Sequence, residues 1–241
     1  MVTKANKRTD KVAIILPAYN EGQVIGKVLD QLAKHPKARK CTIIVVNDGS
    51  SDNTLAVLKT KKRVKTISHI VNMGAGAATR TGLKAAKKLG CNYAITFDAD
   101  GQHDINDAFR VLADAKKTGA DLVIGSRLKN RAGMPTAKVF GNILLNVVSY
   151  CLIGVMVSDS QSGLRVYNQK CLDKLTFHTN GYGFCSEMIW HAKKQGLTIS
   201  ESPIDAIYTD YSKVKGQKNV AGFFAIVGSL TKQRLKGFMN E

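Results

Sequence analysis

Short apolar runs alternate with amphipathic segments along the first half of the chain. The runs are rich in β-branched residues and end in Pro, Gly, Asn or Asp, a pattern typical of buried strands. They predict strands at Val12–Leu16, Thr42–Val46, Thr66–Val71, Tyr93–Phe97 and Leu122–Ile124.

Between these runs, apolar residues recur at the spacing of one face of a helix. They predict helices at Val24–Leu32, Leu55–Leu58, Ala75–Leu89 and Ile105–Lys117. Strands that alternate with helices predict an α/β fold, in which a mostly parallel sheet carries helices on both faces.

Polar residues follow every predicted strand of this half. Parallel sheets bind their ligands beyond the carboxyl ends of the strands, so these residues predict a site at one edge of the sheet. The polar segments are Pro17–Glu21, Asn47–Gly49, Asn72–Gly74, Asp98–Asp100 and Gly125–Arg127.

The second half is less regular. Leu164–Tyr167 and Leu197–Pro203 are predicted strands, and Glu187–Lys194 is a predicted helix. The apolar stretch Val139–Val157 approaches the length of a membrane span. Because Asn and Ser recur along one edge of it, we expect a buried or interfacial helix instead.

The last segments are basic. Tyr208–Asn219 has the composition of a mobile loop, and Phe223–Phe238 is an amphipathic basic helix. No linker or repeat divides the chain, so we predict one domain at 12–212. A basic tail at 1–11 precedes it, and a basic loop with the C-terminal amphipathic helix follows at 213–241.

Composition changes this picture mainly through charge. Apolar residues make up 44% and charged residues 22%, which excludes a disordered chain. The net charge of +18 indicates an anionic partner such as nucleic acid, anionic lipid or a phosphorylated substrate, although solubility alone also accounts for it. No nucleic-acid-binding motif is present, so we expect no nucleic acid.

The cysteines and the N-terminal residues indicate the cellular compartment in which the protein is expected. Five cysteines without a CxxC pair are typical of reduced thiols, and the polar first residues contain no signal peptide. A cytoplasmic protein is expected.

The sharpest chemical signal is Asp98-Ala99-Asp100 directly after a predicted strand. Two carboxylates at such a position reach one divalent cation, and Gln102 adds another oxygen. The alternative is a polar turn in which Asp98 caps the next helix.

Two further segments leave alternatives open. Asp48 is placed to accept hydrogen bonds from a nucleoside, or else it belongs to a helix start capped by Ser50 or Ser51. The glycine-rich segment Asn72–Thr79 either brings backbone N–H groups to a phosphate or makes a tightly packed turn.

Together these motifs resemble family-2 glycosyltransferases with the GT-A fold, and among them the dolichyl- and polyprenyl-phosphate sugar synthases. Ser162-Gly163-Leu164-Arg165 resembles the SGFR-like turn of that family, and Glu187 lies in a matching SEM segment. The resemblance covers about Val12 to Ser212 and implies an enzyme that transfers a sugar from a UDP- or GDP-sugar to a lipid phosphate.

The resemblance also implies roles for single residues. Asp98 and Ala99 line the donor site, Asp100 and Gln102 bind Mg²⁺ or Mn²⁺, and Arg127 binds the acceptor phosphate or the diphosphate. The residues implied to hold the nucleoside are Pro17, Tyr19, Glu21 and Asp48. Lys213 matches a lysine of the late basic loop, whereas the arginine expected before it is absent.

The implied reaction is a single displacement with inversion. A lipid phosphate is already anionic and needs no general base, whereas a sugar hydroxyl does, with Glu187 and Asp159 as candidates. Glu187 is alternatively a partner of His191 or Lys194 in a helix salt bridge. Rival functions are transfer to a saccharide hydroxyl, nucleotidyl transfer and nucleic-acid binding.

The apolar stretch and the basic C-terminal helix together predict a peripheral enzyme on an anionic membrane surface. The alternative is that the two segments pack together as core or as the interface of a homodimer.

Overall fold

The computed structural model describes residues 10–101, 103–129, 147, 150, 154, 156–181, 183–205 and 207. Within them, seven strands form one sheet in the order β3-β2-β1-β4-β6-β5-β7. The strands are β1 Val12–Ala18, β2 Thr42–Asn47, β3 Val64–Ser68, β4 Tyr93–Thr96, β5 Leu122–Ser126, β6 Arg165–Asn168 and β7 Ile199–Pro203.

The helices cover both faces of the sheet, which confirms the predicted α/β fold. A short 3₁₀ turn at Ala38–Lys40 precedes β2. The α-helices are α1 Ile25–Lys34, α2 Thr54–Lys59, α3 Ala75–Lys88, α4 Ile105–Thr118, α5 Gln169–Lys174 and α6 Phe184–Lys194.

All neighbouring strands pair in parallel except at β6, which is antiparallel to both β4 and β5. Thr96 of β4 and Ile124 of β5 both oppose Arg165, the first residue of β6. The start of β6 therefore lies at the edge where β4 and β5 end.

The two faces of β1 show how the core is divided. Ile14 and Leu16 point into an apolar cluster shared with α1 and α4, whereas Ala13 and Ile15 point into a second cluster shared with α3 and α6. Successive strand residues face opposite sides, so a continuous apolar run is buried on both.

One predicted strand is displaced in the structure. The sequence predicts Thr66–Val71, whereas β3 spans Val64–Ser68. The pairing ends at Ser68 because β2 ends opposite it at Asn47, and the side chain of Asp48 then binds His69 and Met73 of the following segment. The short helix α5 was not predicted.

Several predictions lie outside the described residues. They concern most of the 1–11 tail, most of Val139–Val157, Gln102, the loop that contains Lys213, and the C-terminal helix. In the described part of the chain, no helix is long and apolar enough to cross a membrane.

Candidate active site

The loop after β1 is locked to the loop after β2 by Asn20. Asn20 has a left-handed backbone with φ of 54°, a conformation that asparagine tolerates better than most residues. Its Oδ1 accepts hydrogen bonds from the backbone N–H of Ser51 at 2.9 Å and of Asp52 at 3.4 Å. These contacts hold the first two strand ends in one fixed arrangement.

The residues implied to hold the nucleoside differ in exposure. Pro17 lies opposite Val46, one residue before the pairing of β1 with β2 ends at Ala18 and Asn47. Tyr19 is 43% exposed, whereas Glu21 is buried and its backbone N–H donates to Thr54 Oγ1 at 2.8 Å. Tyr19 is therefore the member of this group that offers an aromatic surface to a ligand.

Asp48 is buried, and its carboxylate binds protein groups. Oδ1 accepts from His69 Nδ1 at 2.6 Å and from the Met73 backbone N–H at 3.0 Å, and Oδ2 accepts from the Gly74 N–H at 2.7 Å. His69 Nε2 lies 3.0 Å from the hydroxyl of Thr81. Asp48 thus organises the loop between β3 and α3.

Helix α2, which follows β2, does not begin at Ser50 or Ser51. Asn53 is the N-cap of α2, and Asp52 Oδ1 accepts from the Thr54 N–H at 2.9 Å. The capping interpretation was therefore wrong for the two serines.

The glycine-rich segment is a packing turn. Gly74 has φ of 97°, and a side chain on it would collide with the Asn180 carbonyl, whereas one on Gly76 would collide with the Thr179 carbonyl. The Gly76 N–H donates to the Asn180 carbonyl at 2.7 Å. These contacts favour close packing of the α3 start over phosphate binding.

Asp98 lies two residues after the end of β4, between two groups. His103, which is buried, has Nε2 2.8 Å from Asp98 Oδ2, and Nε2 must carry the proton because a carboxylate only accepts. On the other side, a Cβ on Gly163 would overlap both carboxylate oxygens. Asp98 does not cap a helix, since Asp104 caps α4.

The electrostatic surroundings keep Asp98 ionised. Burial raises the pKa of Asp98, but the hydrogen bond from His103 and the charges of His103, Arg127 and Arg165 outweigh it and hold that pKa below its usual value. The side chain is still 44% exposed, so the charge faces solvent. An anionic group at this point suits a cation or a sugar hydroxyl.

Arg127 directly follows β5 at the same edge of the sheet, and the turn before β6 orients its side chain. Asp159, which is 1% exposed, accepts from Arg127 Nε at 2.7 Å and from Nη2 at 2.9 Å. Glu201 on β7 in turn accepts from the backbone N–H of Ser158 at 2.6 Å. Glu201 thereby supports the segment that orients Arg127.

A second arginine lies beneath this turn. Arg165 is buried and donates to the carbonyls of Ser160 at 2.7 Å, Ser162 at 3.0 Å and Cys185 at 3.1 Å. Its charge acts on Asp98 through the protein interior. Arg165 therefore fixes the shape of the turn and adds positive potential under the site.

Glu187 is engaged in the structure. Its carboxylate accepts from the N–H groups of His178 at 2.9 Å and Thr179 at 2.7 Å, and His191 lies 3.5 Å away. Burial raises the pKa of Glu187, but the hydrogen bonds from His191, Thr179 and His178 have the larger, opposite effect and lower that pKa to about 2. So weak a base is unsuited to proton abstraction, and the geometry favours the salt-bridge alternative.

The described residues offer few protein ligands for a metal. Ala99 is buried, which leaves the carboxylates of Asp98 and Asp100 at the cleft, while Gln102 lies outside the described part. Within that part, no three His, Cys, Asp or Glu side chains converge. This donor set fits Mg²⁺ or Mn²⁺, which keep waters and substrate phosphates as ligands.

The structure thus brings Asp48, Asp98, Asp100 and Arg127 to one edge of the sheet, whereas Glu187 braces a neighbouring loop. Sequence reasoning missed His69, His103 and Glu201 as partners of site residues. His103 stands three residues after Asp100, and this closeness to the carboxylate motif was a usable signal. Contacts such as that of His69 join segments distant in sequence and leave no local pattern.

Known proteins resemble this chain in both sequence and fold. The model of glycosyl transferase family 2 matches residues 13–175, more than half of the chain. The UDP-N-acetylglucosamine–dolichyl-phosphate N-acetylglucosaminyltransferase of Methanococcus voltae is 39% identical over 233 residues, covering 88% of this chain and 92% of its own length.

Two other proteins extend the comparison. The polyprenol monophosphomannose synthase of Mycolicibacterium smegmatis is 30% identical over 207 residues, which cover 81% of this chain and 77% of that protein. Glucosyl-3-phosphoglycerate synthase of Mycobacterium tuberculosis, solved with Mn²⁺, UDP and glucosyl-3-phosphoglycerate, superposes with a TM-score of 0.63 at 21% identity, covering 91% of this chain and 80% of that one. This likeness confirms the GT-A fold.

Proposed function

Because the chain belongs to glycosyl transferase family 2, we propose that it transfers a sugar from a nucleoside diphosphate to the phosphate of a membrane-bound polyprenol. The observation that carries this proposal is the ionised Asp98, with Asp100, at the sheet edge that also receives Arg127. Negative and positive groups at one cleft suit a metal–diphosphate donor and an anionic acceptor.

A divalent cation would be held by Asp100, with Asp98 beside it and with Gln102 as a further oxygen. When bound, such an ion neutralises charge that develops on the leaving diphosphate. Mn²⁺ and UDP in the Mycobacterium tuberculosis structure support this part of the proposal.

The chain's own residues would orient the reactants. Arg127 is held by two hydrogen bonds to Asp159, so its direction is fixed before a phosphate arrives. Preorganised charge of this kind stabilises a transition state without a cost of reorganisation. We assign Arg127 to the acceptor phosphate or to the diphosphate, with Lys213 as a second cation.

The choice of acceptor is supported by the engagement of both carboxylates that the sequence offers as general bases. Asp159 is paired with Arg127, and Glu187 holds the His178–Thr179 backbone. A phosphate acceptor attacks as an anion and needs no base, which gives a single inverting displacement. The names of the relatives from Methanococcus voltae and Mycolicibacterium smegmatis support a lipid phosphate acceptor.

The name of the first relative favours UDP over GDP as the carrier, with an N-acetylhexosamine as the first sugar to test. A lipid acceptor also makes the enzyme a peripheral protein of the cytoplasmic membrane surface, as the basic C-terminal segment predicts. A homodimer stays a prediction.

The substitution Asp100→Asn tests the metal site. It should weaken Mn²⁺-dependent binding of UDP by at least about tenfold, because an amide is a poorer ligand for a hard cation than a carboxylate. Calorimetric titration of UDP with and without Mn²⁺ measures this. Asp173→Asn makes the same chemical change at the exposed Asp173–Lys87 ion pair and should leave binding unchanged. Full metal-dependent binding by the Asp100 variant would exclude the assigned role.

A further inference from the structure

The loop between β3 and α3 displays large apolar side chains to solvent. Ile70 is fully exposed (100%), Val71 is 63% exposed and Met73 is 45% exposed. Single exposed apolar residues are common, but three within four positions form a patch of the kind found at interaction sites. We define Ile70–Met73 as the apolar loop.

The apolar loop is held in place from both ends. Asp48 accepts from Met73 and Gly74 on one side and from His69 on the other. Gly49 lies against the backbone of Val71 so closely that a side chain there would collide with it. The contacts of His69, Met73, Gly74 and Gly49 determine the path of the chain here. The apolar side chains are therefore exposed in a fixed conformation.

The apolar loop lies at the edge of the sheet that carries the candidate active site. It follows β3, and Asp98 follows β4, which is separated from β3 by β2 and β1. Parallel neighbours lie about 4.8 Å apart, so the two strand ends are about 15 Å apart along this edge. Tyr19, 43% exposed, follows β1 between them.

We propose that the apolar loop inserts into the surface of the lipid bilayer that carries the acceptor. The inference rests on the proposed function. A polyprenyl chain stays in the hydrocarbon, and its phosphate stays at the headgroups, so the active-site edge must approach the membrane. A loop at that edge then reaches the interface, where aliphatic side chains are removed from water.

The distribution of charge agrees with this orientation. Helices α1, α3, α4 and α6 run opposite to the parallel strands, so their last turns lie at the far edge of the sheet. Those turns carry Lys34, Lys87, Lys88, Lys116, Lys117, Lys193 and Lys194. These lysines face away from the active-site edge, so they are not placed to hold that edge on an anionic membrane. The attraction at that edge would come from burial of the apolar loop, which salt does not screen.

The double substitution Ile70→Thr with Val71→Thr tests the proposal on the full chain. Threonine keeps the β-branched backbone preference and removes only apolar surface. Partition onto phosphatidylcholine vesicles containing phosphatidylglycerol, measured by flotation in 0.5 M salt, should fall by about tenfold or more. Ile70→Trp should increase partition, because tryptophan favours the membrane interface. Gln31→Trp, on an exposed position of α1, should leave it unchanged.

Wild-type levels of flotation by the double variant would overturn the proposal, and so would a wild-type chain that does not float. Unchanged flotation with a raised KM for the sugar nucleotide would assign the loop to the donor site instead.

Activity with two acceptors separates this inference from the proposed function. The double variant should lose transfer to a long-chain polyprenyl phosphate in vesicles but retain transfer to a short-chain, water-soluble one. If the wild-type chain uses neither acceptor, the proposed function fails, whereas the flotation result still decides the role of the loop.

Discussion

Single residues decide the geometry around the carboxylate of Asp98. One side of that carboxylate meets His103, and the other meets the backbone of Gly163, which has no side chain to displace it. The SGFR-like turn therefore has a steric reason for its glycine in this chain. The carboxylate and the turn are separate motifs in the sequence but one unit in the structure.

Gly163→Ala should reduce activity strongly. The added methyl group would overlap both oxygens of Asp98 and force the carboxylate or the turn to move. A displacement of about 1 Å in a reacting site commonly costs about 100-fold in rate, so we expect a loss of about 10- to 100-fold in kcat. Steady-state kinetics with the sugar nucleotide measure it.

Gly181→Ala is the matched control, because among the described residues nothing apart from its chain neighbours lies within 4 Å of an added Cβ. It should retain wild-type kcat. Equal activity of the two variants would show that the contact between Gly163 and Asp98 does not matter for the reaction.

Glu187 gives a prediction that depends on pH. Its pKa in the folded chain is about 2, below the ordinary 4.5, so its ionised form stabilises the fold. That contribution is complete above the ordinary pKa and is lost as the pH falls from about 5 to about 2, and it amounts to at most about 3 kcal/mol. The free energy of unfolding of wild type minus that of Glu187→Gln should therefore shrink over this range.

Chemical denaturation of both proteins at a series of pH values tests this expectation. Glu187→Gln should also retain most of its kcat, since the carboxylate holds a loop and takes no proton. A constant stability difference combined with a loss of kcat by several orders of magnitude would restore Glu187 as the general base.

At the scale of elements, the junction of α3 with β1 depends on one glycine. Gly82 lies in the middle of α3, where glycine is a poor helix former. A Cβ at this position would penetrate the side chain of Ile15, which is fully buried in β1. Close approach of helix and strand thus requires the glycine despite its low propensity.

Gly82→Ala should destabilise the protein by about 1–3 kcal/mol, the usual effect of overpacking a core. Gly26→Ala in α1 is the control, because its added Cβ would meet only one methyl group of Val57 at 3.3 Å. The control should be neutral or more stable by up to about 1 kcal/mol. Thermal or denaturant unfolding measures both, and a Gly82 variant as stable as wild type would contradict the packing argument.

The elements also show what the sequence could predict. Strands such as β1 and β2 were recognised because they are buried on both faces and read as unbroken apolar runs. The predicted range of β3 was displaced towards the C-terminus because Ile70 and Val71 continue its apolar pattern, although both side chains are exposed to solvent. The antiparallel direction of β6 depends on pairing with β4 and β5, which no local pattern records.

The candidate site was predictable in the same measure. Asp98 and Asp100 could be identified from the sequence, because two carboxylates after a predicted strand are a local pattern. The engagement of Asp48 by His69, and of Arg127 by Asp159, joins segments at least 21 residues apart. Such contacts are determined by the fold. A sequence motif therefore identifies a functional residue but does not identify the residues that it contacts.

At the scale of the whole molecule, the sheet has two chemically different edges. The active-site edge carries Asp98, Asp100 and the apolar loop, whereas the lysine-bearing helix ends lie at the other edge. Cations near helix C-termini are favourable in their own right. The seven lysines at these helix ends therefore lie where they stabilise helices, away from the donor site.

The central claim is transfer of a sugar to a lipid phosphate, and a product assay tests it most directly. The full chain is incubated with radiolabelled UDP- and GDP-sugars, Mn²⁺ or Mg²⁺, and vesicles that contain polyprenyl phosphate. We expect label from one UDP-sugar to enter the organic phase, only with metal, and to require both the polyprenyl phosphate and an intact Asp100. Label that stays in the aqueous phase for every donor, or appears there on a saccharide, would contradict the account.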